Sequence, residues 1–168
     1  MSTIPGYALP MSTDVEWLSA EQEQVWRRWL SLNAMLPAAL HRELQADAGL
    51  SLPDFDVLVH LTDSPAGRVR VSDLAHALQW EKSRVSHHVT RMERRGLVRR
   101  EDCPDDARGS FVVVAPAGRA AIEQAAPGHV RAVRDLIFDH LTGDDLASLD
   151  VITRKVLARL TTSAPAAS

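Results

Sequence analysis

A stretch of nineteen residues, from Lys82 to Arg100, carries the most distinctive chemistry of this chain. It holds seven positive side chains and a single acid, Glu93, for a local charge of +6. The rest of the chain has twelve positive and twenty-one acidic residues, a net charge of −9. Because a positive stripe on an acidic protein attracts closely spaced phosphates, the pattern favours a surface for a polyanion, above all duplex DNA.

The composition of the whole chain sets limits on what this surface serves. The 168 residues carry a net charge of −3, which disfavours indiscriminate coating of nucleic acid but not binding through one face. An apolar share of 45% suits one domain with appended helices. No apolar run is long enough for a membrane span, and residues 1–14 lack the pattern of a signal peptide. With one cysteine, Cys103, we expect a cytoplasmic protein without a disulfide or a membrane partner.

The positive stripe begins on a predicted helix that runs from about Lys82 to Arg95. Val85, Val89 and Met92 are spaced to form its buried face. Arginine can bind guanine with two hydrogen bonds, and serine and histidine can also contact base edges. The candidates for DNA contact are the polar residues off the buried face: Lys82, Ser83, Arg84, Ser86, His87, Thr90 and Arg91. Four more arginines better suit phosphate or intradomain contacts: Arg94, Arg95, Arg99 and Arg100.

Short elements around this helix predict a helix-turn-helix followed by a hairpin. Arg68–Arg70 can form a very short strand, and Ser72 can cap the helix that precedes the basic one. Gly96 stands where a left-handed residue would end the basic helix. The hairpin is predicted from two β-rich runs that flank a segment rich in Pro, Asp and Gly: Leu97–Arg100 and Phe111–Val114.

Long amphipathic helices flank this module in sequence. Apolar residues recur at helical intervals over 26–44, although Pro37 should kink or split that helix. A second apolar stripe runs over 130–160. Hydroxyl residues stand where three of the helices should begin: Ser19, Ser51 and Thr142. Because a winged module does not need the two stripes for its own core, we expect them to pack against a second copy of the chain, forming a homodimer.

The predicted fold is therefore mainly α, of the α+β kind: a winged helix-turn-helix with flanking N- and C-terminal dimerisation helices. Its parts are a flexible arm (1–18), an N-terminal dimerisation helix (19–50), a winged helix-turn-helix DNA-binding region (51–115), C-terminal dimerisation helices (116–161) and a flexible tail (162–168).

The order and spacing of these motifs resemble the multiple-antibiotic-resistance regulator (MarR) family over roughly residues 19–160. The segment 104–114 carries the Asp-x-Arg wing pattern of the family, followed by an alternating apolar strand. The run 92–100 resembles the end of the family's recognition helix and its first wing strand. One departure is visible at 114–116, where Val-Ala-Pro replaces the common Leu-Thr; proline nevertheless suits the first turn of the next helix.

The resemblance implies a role for the wing. Arg108 would lie where it can enter the adjacent minor groove, because narrow A·T-rich grooves attract arginine. Asp106 would orient Arg108 or pair with another arginine, the alternative being a residue that only forms the turn.

The resemblance also implies a small-molecule effector, since relatives often bind aromatic or phenolic ligands between the dimer helices and the winged module. The ligand site itself is unknown. Its weak candidates are the early tryptophans and two histidines: Trp17, Trp26, Trp29, His41 and His60. Arg68 is a further polar anchor for such a ligand, and core or dimer packing is the alternative for the tryptophans.

Catalytic and metal chemistry have little support. The chain has no nucleophile-elbow motif, Gly-rich phosphate loop or Cys-x-x-Cys pair, and its seven histidines show no helical metal-binding spacing. Cys103 lacks a second cysteine that could resolve an oxidised thiol. We therefore expect no enzyme, no cofactor and no metal.

Together these features predict a sequence-specific DNA-binding transcription regulator. We expect a homodimeric repressor, active in a response to stress, whose inverted-repeat operator is released by a small aromatic or phenolic ligand. One alternative is a winged-helix dimer that acts as a protein-interaction adaptor without a DNA target, with the charged face merely solvated. A steep salt-dependent affinity for DNA separates the two functions.

Overall fold

The computed structural model describes residues 15–103 and 106–163, with only the backbone described at 106–108 and 163. The elements are α1 (Ala20–Ala48), α2 (Leu52–Asp63), β1 (Arg68–Arg70), α3 (Val71–Leu78), α4 (Lys82–Arg94), β2 (Val98–Cys103), β3 (Asp106–Val114), α5 (Pro116–Leu136), a 3-10 turn (Phe138–His140) and α6 (Gly143–Ser163). This order confirms the predicted, mainly α winged helix-turn-helix. No helix in these ranges is long and apolar enough to cross a membrane. Most of the predicted arm, most of the predicted tail, and Pro104 and Asp105 lie outside the described residues.

The chain divides into two compact units at residues 39 and 40, within α1. In the first unit, the Ser19 N–H donates to Gln22 Oε1 (2.9 Å) and the Gln22 N–H donates to Ser19 Oγ (3.2 Å), which confirms the predicted cap. The helix passes Pro37 without ending, so of the two predicted alternatives, a kink or a split, the split does not occur. Because proline removes only one backbone donor, a helix of 29 residues can continue past it.

The second unit is built around one apolar core to which the helices of the winged module and the hairpin contribute. Val85, Val89 and Met92 of α4 are fully buried in it, as their spacing predicts. Leu44 of α1 and Ile122 of α5 belong to the same buried cluster. The core therefore extends past both predicted limits of the winged region, at residues 51 and 115.

The sheet is antiparallel, with strand order β1-β3-β2. Arg68 of β1 pairs with Val113, and Val98 of β2 pairs with Val114, so the predicted short strand and hairpin are confirmed. The hairpin strands are longer than the β-rich runs, because pairing continues to Cys103, which is buried. Where α5 approaches the wing, a Cβ at Gly118 would collide with the carbonyl oxygen of Leu97.

The helix ends of the module are set by local hydrogen bonds. Ser51 and Asp54 form a reciprocal capping box at α2, with N···O distances of 2.9 and 3.1 Å, as predicted for Ser51. Gly96 has the predicted left-handed conformation, with φ +73°. The cap predicted at Ser72 is wrong. Because β1 leads directly into α3, the extended residue Arg70 precedes the helix and Ser72 lies in its first turn.

The last helix leaves much of its apolar surface uncovered. Its start is capped as predicted, with the Asp145 N–H donating to Thr142 Oγ1 (3.2 Å). Large apolar side chains of α6 are exposed in the single chain: Leu146, Val151, Ile152, Val156, Leu157 and Leu160. These residues belong to the stripe over 130–160 that is expected to pack against a second copy of the chain.

Candidate nucleic-acid interface

The polar candidates on α4 lie away from the core. Lys82, Ser83, Arg84, His87 and Arg91 are exposed. Ser86 and Thr90 are half-buried, and the Thr90 hydroxyl donates to the Ser86 carbonyl oxygen at 2.9 Å. The helix therefore presents a polar surface opposite its buried valine and methionine residues.

A polar cluster ties α4 to the start of α2; we call it the Asp54 cluster, comprising buried Asp54 and His88 and exposed Arg91 and Arg95. His88 Nε2 lies 3.0 Å from Asp54 Oδ1, and Arg95 Nη1 donates to Asp54 Oδ2 at 2.7 Å. Arg95 Nη2 also donates to the carbonyl oxygen of Gly49 (2.8 Å). Arg91 Nη2 donates to His88 Nδ1 (2.9 Å). Since guanidinium cannot accept a hydrogen bond, a neutral His88 carries its proton on Nε2, facing Asp54.

The electrostatics of this cluster favour an ionised carboxylate. Burial alone would raise the pKa of Asp54, but the adjacent His88 ring and hydrogen bonding with Ser51 and Arg95 together hold it well below its usual range. Asp54 and His88 are both buried, and neither is a candidate in the sequence analysis. The available signal was weak: Asp54 stands at the third position of a predicted cap, and nothing local reveals its partners on α4.

A pocket of about 270 Å³ opens beside α4; we call it the basic pocket. It is lined by Arg70, Val71, Ser72, Lys82, Ser86, Arg100, Gly109 and Ser110. Arg100 Nη2 donates to the Ser86 carbonyl oxygen (2.8 Å) and to Thr90 Oγ1 (3.2 Å), so it also braces α4 against β2. Three cations and three hydroxyls around one concavity are suited to an anion such as a phosphate. Of these lining residues, Lys82 and Ser86 are among the base-contact candidates of the sequence analysis, and Arg100 is among its arginines suited to phosphate or intradomain contacts.

Arg84 is positioned by an aromatic ring. Its guanidinium carbon lies 4.2 Å from the centroid of the Trp80 ring, within cation–π range. The Trp80 ring also meets His88 edge-on, with centroids 5.4 Å apart and planes at 82°. Trp80 lies between α3 and α4, four residues before Arg84 and eight before His88, and it is not among the sequence candidates.

The wing is described in part. The backbone of Asp106 and Arg108 belongs to β3, but their side chains, and so the predicted minor-groove contact, lie outside the described residues. Within β2, Glu101 pairs with Arg99, and it also pairs with Arg68 of β1, the latter at 3.4 Å. Of the four arginines suited to phosphate or intradomain contacts, three make contacts within the domain: Arg95, Arg99 and Arg100.

The weak ligand candidates are only partly brought together. Trp17 and Trp26 line an apolar cleft of about 310 Å³ in the first unit, and Trp29 does not line it. His41 Nδ1 accepts a hydrogen bond from the Leu52 N–H (3.2 Å), a structural role in the second unit. His60 is half-buried on α2. In the ranges that the structure describes, no group of three His, Cys, Asp or Glu side chains could hold a metal ion.

The fold and the charged face define a winged helix-turn-helix protein, and comparison with known proteins gives its family. A model of the MarR family matches residues 48–109. Sco3205, a MarR family transcriptional regulator from Streptomyces coelicolor crystallised in complex with DNA, is 42% identical, with a TM-score of 0.85 over 92% of this chain and 97% of that one. The chain belongs to the MarR family.

Two further structures support the comparison. AbsC, a MarR family transcriptional regulator from Streptomyces coelicolor, is 39% identical, with a TM-score of 0.83 over 89% of this chain and 100% of that one. A variant of MarR from E. coli, complexed with operator DNA, shares the fold at 24% identity, with a TM-score of 0.72 over 82% of this chain and 96% of that one. No curated protein sequence matches the chain.

Proposed function

We propose that this protein is a sequence-specific DNA-binding transcription regulator in which α4 is the recognition helix. The observation that carries the proposal is the geometry of α4: one face is locked into the core, and the opposite face presents exposed cations beside the basic pocket. In helix-turn-helix proteins the second helix lies in the major groove, with its N-terminal residues at the base edges. The crystallised complex of the relative Sco3205 with DNA supports the same use here.

The contacts divide by position. Lys82, Ser83, Arg84 and His87, in the first half of α4, read base edges. The basic pocket receives a backbone phosphate, which fixes the position of the module on the duplex but carries no sequence information. Arg108 enters the flanking minor groove, with Asp106 orienting it. The residues that read sequence and the pocket that positions the protein are thus adjacent, and they share Lys82.

The functional unit is a homodimer. Ile152 of α6 and Trp26 of α1 are about half exposed in the single chain, at 52% and 51%. A soluble monomer rarely leaves contiguous apolar surface of this kind in contact with water. A two-fold interface would cover the same residues on both copies and set two α4 helices against the half-sites of an inverted repeat. Residues 19–50 and 116–161 then serve as the dimerisation helices and residues 51–115 as the DNA-binding region.

The regulator represses its target in the cytoplasm and is released by a small aromatic or phenolic effector. The apolar cleft beside Trp17 and Trp26 supports this part of the proposal, because aromatic walls suit such a ligand. An effector that binds better to the conformation unsuited to DNA lowers operator affinity by shifting populations. The protein itself carries out no chemical step.

Selection of bound fragments from random duplex DNA tests the proposal. We expect the intact protein to enrich a two-fold symmetric motif, because two copies of α4 would read it in opposite orientations. Small aromatic acids and phenols are then screened for release of that motif. Enrichment of no sequence would refute the proposal, and stable binding of another protein without DNA affinity would favour an adaptor instead.

A further inference from the structure

We propose that Trp80 is the positioning residue for Arg84, and that the protein's base preference depends on this ring even though α4 begins two residues after it. The inference rests on the proposed function and deepens it. It assigns the choice of base to a stacked pair, Trp80 and Arg84, rather than to Arg84 alone.

The backbone holds Trp80 in one place. Gln79 ends α3 in the left-handed conformation, with φ +53°, which is uncommon for a residue other than glycine. The Trp80 N–H then donates to the Ala75 carbonyl oxygen at 2.9 Å, closing the end of the helix. The ring packs against the apolar core on one side and meets buried His88 at its edge. The indole is therefore a fixed platform rather than a mobile surface group.

Arg84 lies on this platform with its hydrogen-bonding groups available. Helical side chains lean towards the helix N-terminus, which carries Arg84 back over the ring of Trp80. Within the described residues, Arg84 makes neither an ion pair nor a hydrogen bond. Arg95 and Arg100, by contrast, use their guanidinium groups on partners within the domain. Stacking occupies the face of the guanidinium and leaves its N–H edge for a ligand.

A stacked arginine reads bases more selectively than a free one. Two-bond recognition of guanine depends on the orientation of the guanidinium, and a side chain fixed beforehand loses less entropy on binding. A free arginine can instead reach any nearby phosphate and gain affinity without selectivity. Removing the ring should therefore lower the preference for the operator while leaving affinity for unrelated duplexes nearly unchanged.

The first measurement needs no DNA. In NMR spectra of the free protein, ring currents from Trp80 should shift the Arg84 side-chain protons upfield. Trp80→Leu, which keeps apolar volume against the core, should return them to ordinary positions, and Trp80→Phe should shift them less than the wild type. Unshifted protons in the wild type would overturn the stacked arrangement directly.

The second measurement is a double-mutant cycle on the selected operator and on a shuffled duplex of equal length. Trp80→Leu should reduce the preference for the operator about three- to tenfold, Trp80→Phe less, and Arg84→Ala at least as much as Trp80→Leu. In the Arg84→Ala background, Trp80→Leu should have no further effect. Arg94→Ala, on the same helix, is the matched control for loss of charge and should weaken both duplexes alike.

The outcomes separate the two claims. A wild-type protein that binds operator and shuffled duplex equally overturns the proposed function and this inference with it. If the wild type prefers the operator, two results overturn the inference alone. One is that Trp80→Leu lowers the affinity for both duplexes equally; the other is that it lowers the preference for the operator by the same factor with and without Arg84. Melting curves check folding, and if Trp80→Leu fails to fold, Trp80→Phe combined with Arg84→Lys completes the cycle.

Discussion

Replacing Asp54 by asparagine should destabilise the fold strongly. Asp54 is 3% exposed and accepts hydrogen bonds from Ser51 and Arg95 while facing His88 at 3.0 Å. Asparagine keeps the shape but carries no charge and turns an NH₂ group towards one of these donors. Removing one partner of a buried pair costs about 3–5 kcal/mol, and the Arg95 side chain is 45% exposed, so the lower end applies.

The expected loss in melting temperature follows from this figure. For a chain of this size, 1 kcal/mol corresponds to about 2–4 °C, so a loss of about 3 kcal/mol predicts a fall of about 6–12 °C. The measurement is thermal unfolding followed by circular dichroism, at one protein concentration. A variant that melts within about 2 °C of the wild type at neutral pH would refute the role of the Asp54 cluster.

The pH dependence gives a second check. Because the pKa of Asp54 is lower in the folded state, its stabilisation is present above the unfolded pKa, about 4, and is lost as the pH falls towards the folded value. The difference between wild type and Asp54→Asn should therefore shrink below about pH 4. Asp56→Asn is the matched control on the same helix: burial raises the pKa of Asp56 despite nearby His129, so losing its charge should not lower the melting temperature at neutral pH.

Three further predictions concern the assembly and the DNA contacts. Ile152→Asp should give monomers by light scattering, since the charge would fall on the proposed dimer face; a stable wild-type monomer at micromolar concentration would refute the dimer. Arg84→Ala should cost about 1–3 kcal/mol on the operator but little on random DNA, whereas Arg94→Ala should weaken both equally. Arg108→Ala should lose most affinity on operators with A·T-rich flanks, and a variant that binds both the A·T- and the G·C-flanked operator as tightly as the wild type would exclude a minor-groove role.

Periodicity and turn chemistry made most of the fold predictable. The buried face of α4 follows from the spacing of Val85, Val89 and Met92, and the hairpin follows from two β-rich runs around a turn segment. The cap predicted at Ser72 is wrong because β1 leads directly into α3, so that Ser72 lies inside the helix. A rule that considers only the residue type before a helix cannot detect such a junction. Pro37 was expected to kink or split α1, and the helix continues without a split, because a helix of 29 residues can absorb the cost of one proline.

The candidate site was harder to predict, because its arrangement depends on contacts between distant residues. Arg95 contacts Asp54 across 41 positions, and Arg100 reaches Ser86 across 14. The sequence shows that these arginines are basic, but it does not show which residues of the domain they contact. Trp80 was missed for a similar reason: it lies between α3 and α4, and its contact with Arg84 depends on how the chain turns there.

The central claim is that this protein recognises a DNA sequence through α4. The most direct test is the affinity of the intact protein for its selected operator and for a shuffled duplex of equal length and composition, at several salt concentrations. We expect the operator to bind about 10³-fold more tightly or better, with both affinities falling steeply as salt rises. Equal affinities for the two duplexes, or no binding to either at low salt, would contradict the claim.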